Sequence, residues 1–228
     1  VMNGSLYQGS KPVMWSVVEK TALAEAEVEY HEHQSTTIWV QFPAITVPIP
    51  DLEGVKVVIW TTTPWTIPQN RAICFNPELD YGLYEVTGRP EECWARIGDR
   101  YLLANALAEQ ALTAARLEPS MWRRLRAVSA EELAAVTCAH PFRGVEGGDG
   151  EWDYDVPLLP GDHVTDEAGT GFVHTAPSHG ADDFEVGQKH GLPMTHNVLE
   201  DGSFRADLPL FGGAVIFDHK GKEKDANK

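Results

Sequence analysis

Short segments rich in β-branched and aromatic residues fill much of the first ninety residues of this 228-residue chain. Residues of these types favour the pleated, half-buried surface of a strand. Turn-forming residues separate four such segments, at 38–42, 55–60, 71–75 and 81–86, and two more occur at 155–159 and 171–175. Regular βαβ alternation is missing. The pattern therefore predicts a β-rich α+β fold, a barrel-like sheet with peripheral helices, in one domain that covers residues 1–228.

Helical signals are fewer, and they stand between or after the predicted strands. Three stretches carry the spacing or the end signals of helices, at 101–116, 130–136 and 179–190. Gly191 follows the last of them, in the position where left-handed geometry ends a helix. Residues 21–30 are ambiguous, because Ala and Glu favour a helix while the later residues favour a strand. The glycine-rich run 144–150 predicts a loop, and the polar tail 220–228 predicts a frayed or cut end.

The chain is acidic, with a formal net charge of -16 at pH 7. A domain that grips nucleic acid by itself is expected to carry a basic face, because phosphate neutralisation supplies most of the sequence-independent affinity. The positive charge is bunched at Arg116, Arg123, Arg124 and Arg126. Two interpretations remain open for these arginines: a solvated helix face, or a local patch that touches RNA phosphates. In either case, most of the affinity for an RNA must come from contacts elsewhere.

Several function classes are disfavoured by what the sequence lacks. It has no GxGxxG and no GxxxxGK[ST] segment, which argues against nucleotide-dependent chemistry. Cys74, Cys93 and Cys138 form no CxxC pair, which disfavours disulfides and structural zinc and fits a reducing, cytoplasmic location. No apolar stretch approaches the roughly 18 residues that a membrane helix needs. The first residue is Val1 rather than Met, as expected for a fragment of a longer chain.

The first unusual segment, residues 60–70, has the sequence WTTTPWTIPQN. Thr61, Thr62 and Thr63 place small hydroxyls on both faces of a strand end, and Pro64 removes a donor and stops ladder pairing. Hydroxyls, an indole and an amide at a strand edge suit a polar ligand. The alternative is a hydroxyl-rich turn that satisfies its own backbone.

The second unusual segment, residues 169–184, has the sequence GTGFVHTAPSHGADDF. A strand that carries His174 runs into a turn broken by proline. A helix then begins with Asp182 and Asp183 in its first turn, where the helix dipole favours acids. A structural pair of a histidine and an acid is the plain alternative to a functional site. His174, His179 and Asp183 lack metal-ligand spacing, so no metal site is predicted.

Both segments are similar to the signature segments of the editing insertion, or connective polypeptide, of isoleucyl-tRNA synthetases. The runs KPVMWS at 11–16, TALAEAEVEY at 21–30 and AHPF at 139–142 also resemble that family, so the resemblance covers nearly the whole chain. Related valyl and leucyl enzymes carry TTRP plus an acid where this chain has TTTP plus Trp65, which favours the isoleucine branch. The HIGH and KMSKS signatures of the family's ATP-binding catalytic domain do not occur in the sequence.

The resemblance implies an aminoacyl-tRNA deacylase that removes valine from the tRNA for isoleucine, without aminoacylation by this chain. The implied partners are the aminoacylated 3′ end of that tRNA, the valine moiety and the rest of the synthetase chain, with no membrane. It implies no cofactor, because ATP is used only by the catalytic domain. One methylene in an apolar pocket changes the binding free energy by only about 1–3 kcal/mol, and the discrimination of isoleucine from valine by this family is the usual example of that limit. A second pocket, too small for isoleucine, would hydrolyse the ester of valine that is wrongly attached to the tRNA.

The resemblance also implies the residues of the site. The catalytic set is Asp183, Thr62 and Thr63, and the substrate-binding set is Thr61, Trp65, Asn70, His174, Ala176 and His179. Asp183 would anchor the substrate ammonium, because a charge-assisted hydrogen bond is about twice as strong as a neutral one. Its neighbour Asp182 would face solvent, and His174 would set the size limit of the side-chain pocket.

The remaining roles concern the ester and its adenosine. The three threonines would bond the ammonium, the carbonyl or the ribose, while Trp65 and Asn70 would shape the pocket and hold the adenosine. We expect a water, positioned by these polar groups, to attack the carbonyl. A general base at His179 is the alternative to this mechanism.

Three other functions remain as alternatives. The chain could be a passive module that docks tRNA or a protein without chemistry, which ligand binding without turnover would reveal. It could be a free-standing deacylase, or it could belong to the valyl or leucyl branch. The Thr63-Pro64-Trp65 sequence disfavours the last of these.

Overall fold

The computed structural model describes Gly9 and residues 12–30, 32, 34–218 and 222–227. The strands are β1 (Trp15–Ser16), β2 (Thr21–Ala22), β3 (Ile38–Thr46), β4 (Lys56–Thr61), β5 (Ala72–Phe75), β6 (Tyr81–Val86), β7 (Arg100–Ala104), β8 (Trp122–Val128), β9 (Thr137–Ala139), β10 (Asp155–Pro160) and β11 (Phe172–Thr175). The α-helices are α1 (Ala108–Ala114), α2 (Ala130–Ala134) and α3 (Ala181–His190). Short 3-10 helices cover Glu25–Glu27, Pro50–Leu52, Pro64–Gln69, Pro119–Met121 and Asp225–Asn227.

Strands β3 to β11 form one nine-stranded mixed sheet in the order β11-β5-β10-β9-β3-β4-β7-β6-β8, and β1 pairs with β2 in a separate ribbon. Most neighbouring strands are antiparallel, but β10 runs parallel to β5 and β4 runs parallel to β7. This sheet with few helices confirms the β-rich α+β prediction. Its hydrogen-bonded order ends at β11 and β8, so the described residues show no closed barrel, and the barrel-like shape is not confirmed.

The β11 edge of the sheet lies close to its middle. The backbone N–H of Ala104 in β7 donates to the carbonyl of Thr170 at 2.9 Å, and the Tyr81 hydroxyl donates to the carbonyl of Gly171 at 2.7 Å. Gly171 has φ of 80°, and a Cβ on it would lie 2.3 Å from the Cβ of Ala104, so only glycine permits this approach. The contact brings the strand that carries His174 next to β4. Strand β4 ends at Thr61, within residues 60–70, which we call the threonine segment.

The single helix predicted over 101–116 is wrong in its first part, which forms strand β7. Side chains of β7 alternate between two cores: Leu102 and Ala104 face the main core of the sheet, and Tyr101 and Leu103 pack with α1. A strand that is buried on both faces has a nearly continuous apolar sequence. Periodicity alone does not distinguish such a run from a buried helix.

The four clustered arginines do not form a helix face, so that interpretation is wrong. Arg123, Arg124 and Arg126 lie on the edge strand β8, which the sequence pattern missed, and Arg116 follows α1 with φ of 63°. Three of them pair with carboxylates: Arg116 with Glu92, Arg123 with Glu85, and Arg126 with both Asp51 and Glu132. Charges on an edge strand also oppose its pairing with other chains.

The other predicted elements agree with the structure within a few residues, and Gly191 ends α3 in the left-handed conformation with φ of 66°. The ambiguous stretch 21–30 contains β2 and a 3-10 helix. In the tail, the buried Asn227 side chain donates to the carbonyl of Ile216 at 2.9 Å, and the frayed end stays a prediction. Residues 220, 221 and 228 of the tail lie outside the described residues. No helix in the described ranges has the length and apolarity needed to cross a membrane.

Candidate active site

The threonine segment forms the end of β4 and the turn that follows it. Thr61 is buried, and its Oγ1 accepts a hydrogen bond from the Thr63 backbone N–H at 3.1 Å. Pro64 begins the six-residue 3-10 helix Pro64–Gln69 immediately afterwards. Thr62 and Thr63 are exposed. Thr61 therefore satisfies its own turn, as the alternative interpretation has it. The Thr63 hydroxyl takes part in the same turn, 3.2 Å from Oγ1 of Thr61, and Thr62 is the exposed residue between them.

Thr66 links this segment to β11. Its Oγ1 donates to the carbonyl of Thr63 at 2.8 Å and lies 2.9 Å from Nε2 of His174. Because the single hydroxyl proton is used on the carbonyl, Nε2 of His174 must carry a proton and donate to Thr66. Thr66 is not among the site residues predicted from the sequence. The available signal was its position five residues after Thr61 in the same hydroxyl-rich run.

His174 is a buried, neutral ring. Its side chain is 8% exposed, and burial lowers its pKa to about 4 from an ordinary value of 6.5. With Nε2 protonated, Nδ1 is an acceptor, and within the described ranges this buried atom has no hydrogen-bond partner. A neutral ring can limit the size of a pocket without repelling a substrate ammonium. The role of His174 as the size limit of a pocket stays a prediction.

Asp183 lies in the first turn of α3, and its carboxylate turns back toward the end of β11. Its Oδ2 accepts a hydrogen bond from the backbone N–H of Ala176 at 2.9 Å. Burial raises the pKa of Asp183, and the Ala176 hydrogen bond opposes this effect. Asp182, by contrast, is exposed, as predicted. Asp183 is therefore a half-buried carboxylate with free acceptor capacity, which is the form an ammonium anchor requires.

A cleft of about 420 Å³ opens beside the two segments, with Trp65 and His179 on one side. The two rings meet edge to face, with centroids 4.9 Å apart. Apolar residues supply most of the other walls: Val13, Met14, Trp15, Val17, Val198, Leu199, Ile216 and Phe217. Oγ of Ser178 and Nε2 of His179 are buried atoms without a hydrogen-bond partner among the described residues. An apolar cleft with a few unpaired polar atoms is typical of a small-ligand site.

Two predicted site residues have structural roles. Asn70 is fully buried, and its Nδ2 donates to the carbonyl of Ala72 at 2.8 Å, so it holds the start of β5. The predicted contact of Asn70 with the adenosine is not supported, because the side chain is closed off from solvent. Ala176 is buried as well, and it contributes through the backbone N–H that it donates to Asp183. Groups of three or more metal-binding side chains do not occur in the described ranges.

Comparisons with known proteins agree with the resemblance drawn from the two signature segments. The model of the family of class I tRNA synthetases (I, L, M and V) matches residues 1–198. This chain belongs to the class I tRNA synthetases. It is 56% identical over 231 residues to the isoleucine–tRNA ligase of Ruegeria pomeroyi, and 50% identical over 235 residues to that of Bradyrhizobium diazoefficiens. These matches confirm the resemblance to isoleucyl-tRNA synthetases.

The two alignments cover 100% and 99% of this synthetase chain but 23% of each relative, so the chain spans about a quarter of the length of the ligases it matches. Among solved structures, the P. knowlesi cytosolic leucyl-tRNA synthetase editing domain matches with a TM-score of 0.47 and 12% identity, over 72% of this chain and 68% of that one. The corresponding P. falciparum editing domain has a TM-score of 0.45 and 15% identity, over 60% of this chain and 47% of that one.

Proposed function

We propose that this chain is the editing domain of an isoleucyl-tRNA synthetase and hydrolyses valyl-tRNA specific for isoleucine. The observation that carries the proposal is the convergence of the two signature segments at one place. Thr66 contacts His174, and Trp65 contacts His179, and the Trp65 and His179 rings line the cleft. Asp183 accepts the backbone N–H of Ala176, just after the strand that carries His174. The relatives that match over the whole chain are isoleucine–tRNA ligases.

The substrate presents an ammonium, an ester carbonyl, a small aliphatic side chain and an adenosine. The Asp183 carboxylate would hold the ammonium through a charge-assisted hydrogen bond. The exposed residues Thr62 and Thr63 would bind the ester or the ribose through their hydroxyls. The Trp65 and His179 rings offer the cleft wall on which an adenine could pack. His174 would exclude a side chain one methylene larger than that of valine.

The reaction needs no covalent enzyme intermediate. A positioned water attacks the ester carbonyl, the bond from the carbonyl carbon to the ribose oxygen breaks, and that oxygen takes up a proton as valine leaves. Burial lowers the pKa of His179 to about 4, which makes it a weak base at neutral pH. Catalysis would therefore depend on positioning and on hydrogen bonds to the developing charge. The proposal places this activity in the cytoplasm, within the longer synthetase chain, and requires no cofactor.

The test measures release of labelled amino acid from valyl-tRNA and from isoleucyl-tRNA, both specific for isoleucine. An Asp183→Ala change would remove the anchor but would also leave the Ala176 N–H without its acceptor. Asp183→Asn is sharper, because the amide oxygen can keep that hydrogen bond while the charge is lost. We expect Asp183→Asn to reduce valine release roughly 10- to 100-fold, the worth of a hydrogen bond to a charged group.

The matched control is Asp182→Asn, which removes the same charge from the exposed neighbouring residue. It should leave valine release unchanged. No release of valine by the unaltered chain, with binding of the tRNA intact, would favour the passive binding module instead. Equal loss in both variants would mean that general charge, rather than an anchor at Asp183, supports the reaction.

A further inference from the structure

The 3-10 helix Pro64–Gln69, which carries Trp65 and Thr66, is longer than most of its kind. Hydrogen bonds in a 3-10 helix have poor geometry, so runs beyond three or four residues are uncommon. Pro64 and Pro68 supply no backbone N–H, and the carbonyl groups at the end of a helix lack partners within it. A six-residue 3-10 helix therefore needs support from outside itself.

Three aromatic side chains supply that support at the C-terminal end. His140 Nε2 bonds the carbonyl of Ile67 at 3.0 Å, Trp152 Nε1 bonds that of Pro68 at 3.0 Å, and the Tyr154 hydroxyl bonds that of Asn70 at 2.7 Å. All three donors come from the stretch 140–154, which joins β9 to β10. We call His140, Trp152 and Tyr154 the aromatic clamp.

The donors of the clamp are fixed in orientation. Nδ1 of His140 accepts the backbone N–H of Phe142 at 3.1 Å, so the proton of the neutral ring lies on Nε2 and faces Ile67. The His140 and Trp152 rings stack with centroids 6.1 Å apart. The guanidinium of Arg71 lies 4.1 Å from the centre of the Tyr154 ring. Each donor is thus held by a second contact, as expected of groups that position a site.

We propose that the aromatic clamp positions the 3-10 helix so that Trp65 and Thr66 meet His179 and His174 in the geometry that deacylation requires. The proposal rests on the proposed function, and it makes His140, Trp152 and Tyr154 positioning residues rather than catalytic ones. Ile67 follows Thr66 directly, so a shift of the clamped carbonyls moves the Thr66 hydroxyl. Misplacement of about 1 Å can cost an active site roughly 100-fold in rate.

The first test is independent of any activity. Tyr154→Phe removes one hydroxyl from the clamp and keeps the ring over Arg71. The matched control is Tyr84→Phe, which removes a hydroxyl that bonds Asn105 at 2.9 Å. Tyr84 belongs to the core that packs with α1, away from the clamp. Hydrogen exchange of the peptide that covers residues 61–72 should be roughly tenfold faster in Tyr154→Phe and unchanged in the control. Equal protection in both variants would overturn the clamp.

The second test measures deacylation of valyl-tRNA and isoleucyl-tRNA by the same two variants. We expect Tyr154→Phe to lower kcat for valine release roughly tenfold with little change in KM, and to reduce the preference for valine over isoleucine. Tyr84→Phe, with a similar loss of thermal stability, should change neither value. Unchanged kcat and preference in Tyr154→Phe, despite faster exchange, would refute the positioning role.

The two proposals fail in distinguishable ways. An unaltered chain that binds the tRNA but releases no valine would refute the deacylase function, while the exchange experiment would still decide whether the clamp holds the helix. Trp152→Phe provides a second variant that removes the donor to Pro68 from a different side chain. If exchange is faster in Tyr154→Phe or in Trp152→Phe but not in both, that single residue holds the helix and the other is not part of the clamp.

Discussion

The Thr66 hydroxyl should contribute more to stability and selectivity than any other hydroxyl of the threonine segment. Thr66→Val keeps the shape of the side chain and removes two hydrogen bonds, one donated to the carbonyl of Thr63 and one accepted from His174. Nδ1 of His174 already has no partner among the described residues, so the change leaves both ring nitrogens unpaired.

The expected cost follows from these contacts. Each lost hydrogen bond is worth about 1 kcal/mol, and a buried donor left unpaired adds about 1–3 kcal/mol. Thr66→Val should therefore lower the free energy of unfolding by about 3–5 kcal/mol. In a chain of this size, each kcal/mol lowers the melting temperature by about 2–4 °C. Thr66→Ser keeps the hydroxyl and loses only a methyl group, so it should cost about 1 kcal/mol.

Urea unfolding of Thr66→Val and Thr66→Ser measures the difference directly. Deacylation of valyl-tRNA and isoleucyl-tRNA measures the effect on selectivity. With Thr66→Val the His174 ring is no longer held in one orientation, so the preference for valine should fall, whereas Thr66→Ser should retain it. Equal stability of the two variants would refute the assignment of the His174 proton to Nε2 and its bond to Thr66.

Three further predictions concern the sheet, the pH and the arginines. Gly171→Ala should cost more than about 3 kcal/mol of unfolding free energy, and Gly54→Ala, with φ of 73° in open space, about 1 kcal/mol; urea unfolding compares them. The unfolding free energy should decrease as the pH is lowered from about 6.5 to about 4, because the pKa values of His140 and His174 are lowered to about 4 in the fold. Each histidine contributes up to about 3 kcal/mol to this decrease, which urea titrations across that pH range measure. Arg124→Gln should change KM for valyl-tRNA less than about twofold, and a larger rise would support the phosphate patch.

The sequence predicts most strands because their β-branched and aromatic residues stand between clear turn signals. It fails where burial on both faces removes the alternation, as in β7, and where charged residues form an edge, as in β8. Arg123 pairs with Glu85 and Arg126 pairs with Asp51, and both carboxylates come from distant parts of the chain. No local pattern contains such long-range partners, so the sequence alone could not assign these arginines to a strand.

The sequence identifies the two segments that form the site but not the contacts between them. Motif similarity selects the threonine segment and residues 169–184, and the structure brings them together. It does not identify Thr66 as the link to His174, because that contact joins residues 108 positions apart. It also assigns Asn70 to a ligand, although the burial of this side chain turns its amide toward Ala72. Residue type indicates what a side chain can bind, whereas packing decides whether it is accessible.

Among the described residues, three unpaired polar atoms lie in residues 174–179, and two of these residues, Ser178 and His179, line the cleft. Nδ1 of His174, Oγ of Ser178 and Nε2 of His179 are buried and have no hydrogen-bond partner within the described part of the chain. Each such atom costs about 1–3 kcal/mol in a fold that could satisfy it with a neighbour. Four more such atoms lie in Gln69, Asn70 and Arg71, at the end of the 3-10 helix that carries Trp65 and Thr66. A polar substrate that bonds the unpaired atoms of Ser178 and His179 would recover part of that cost on binding, which is why the site should discriminate by fit rather than by total affinity.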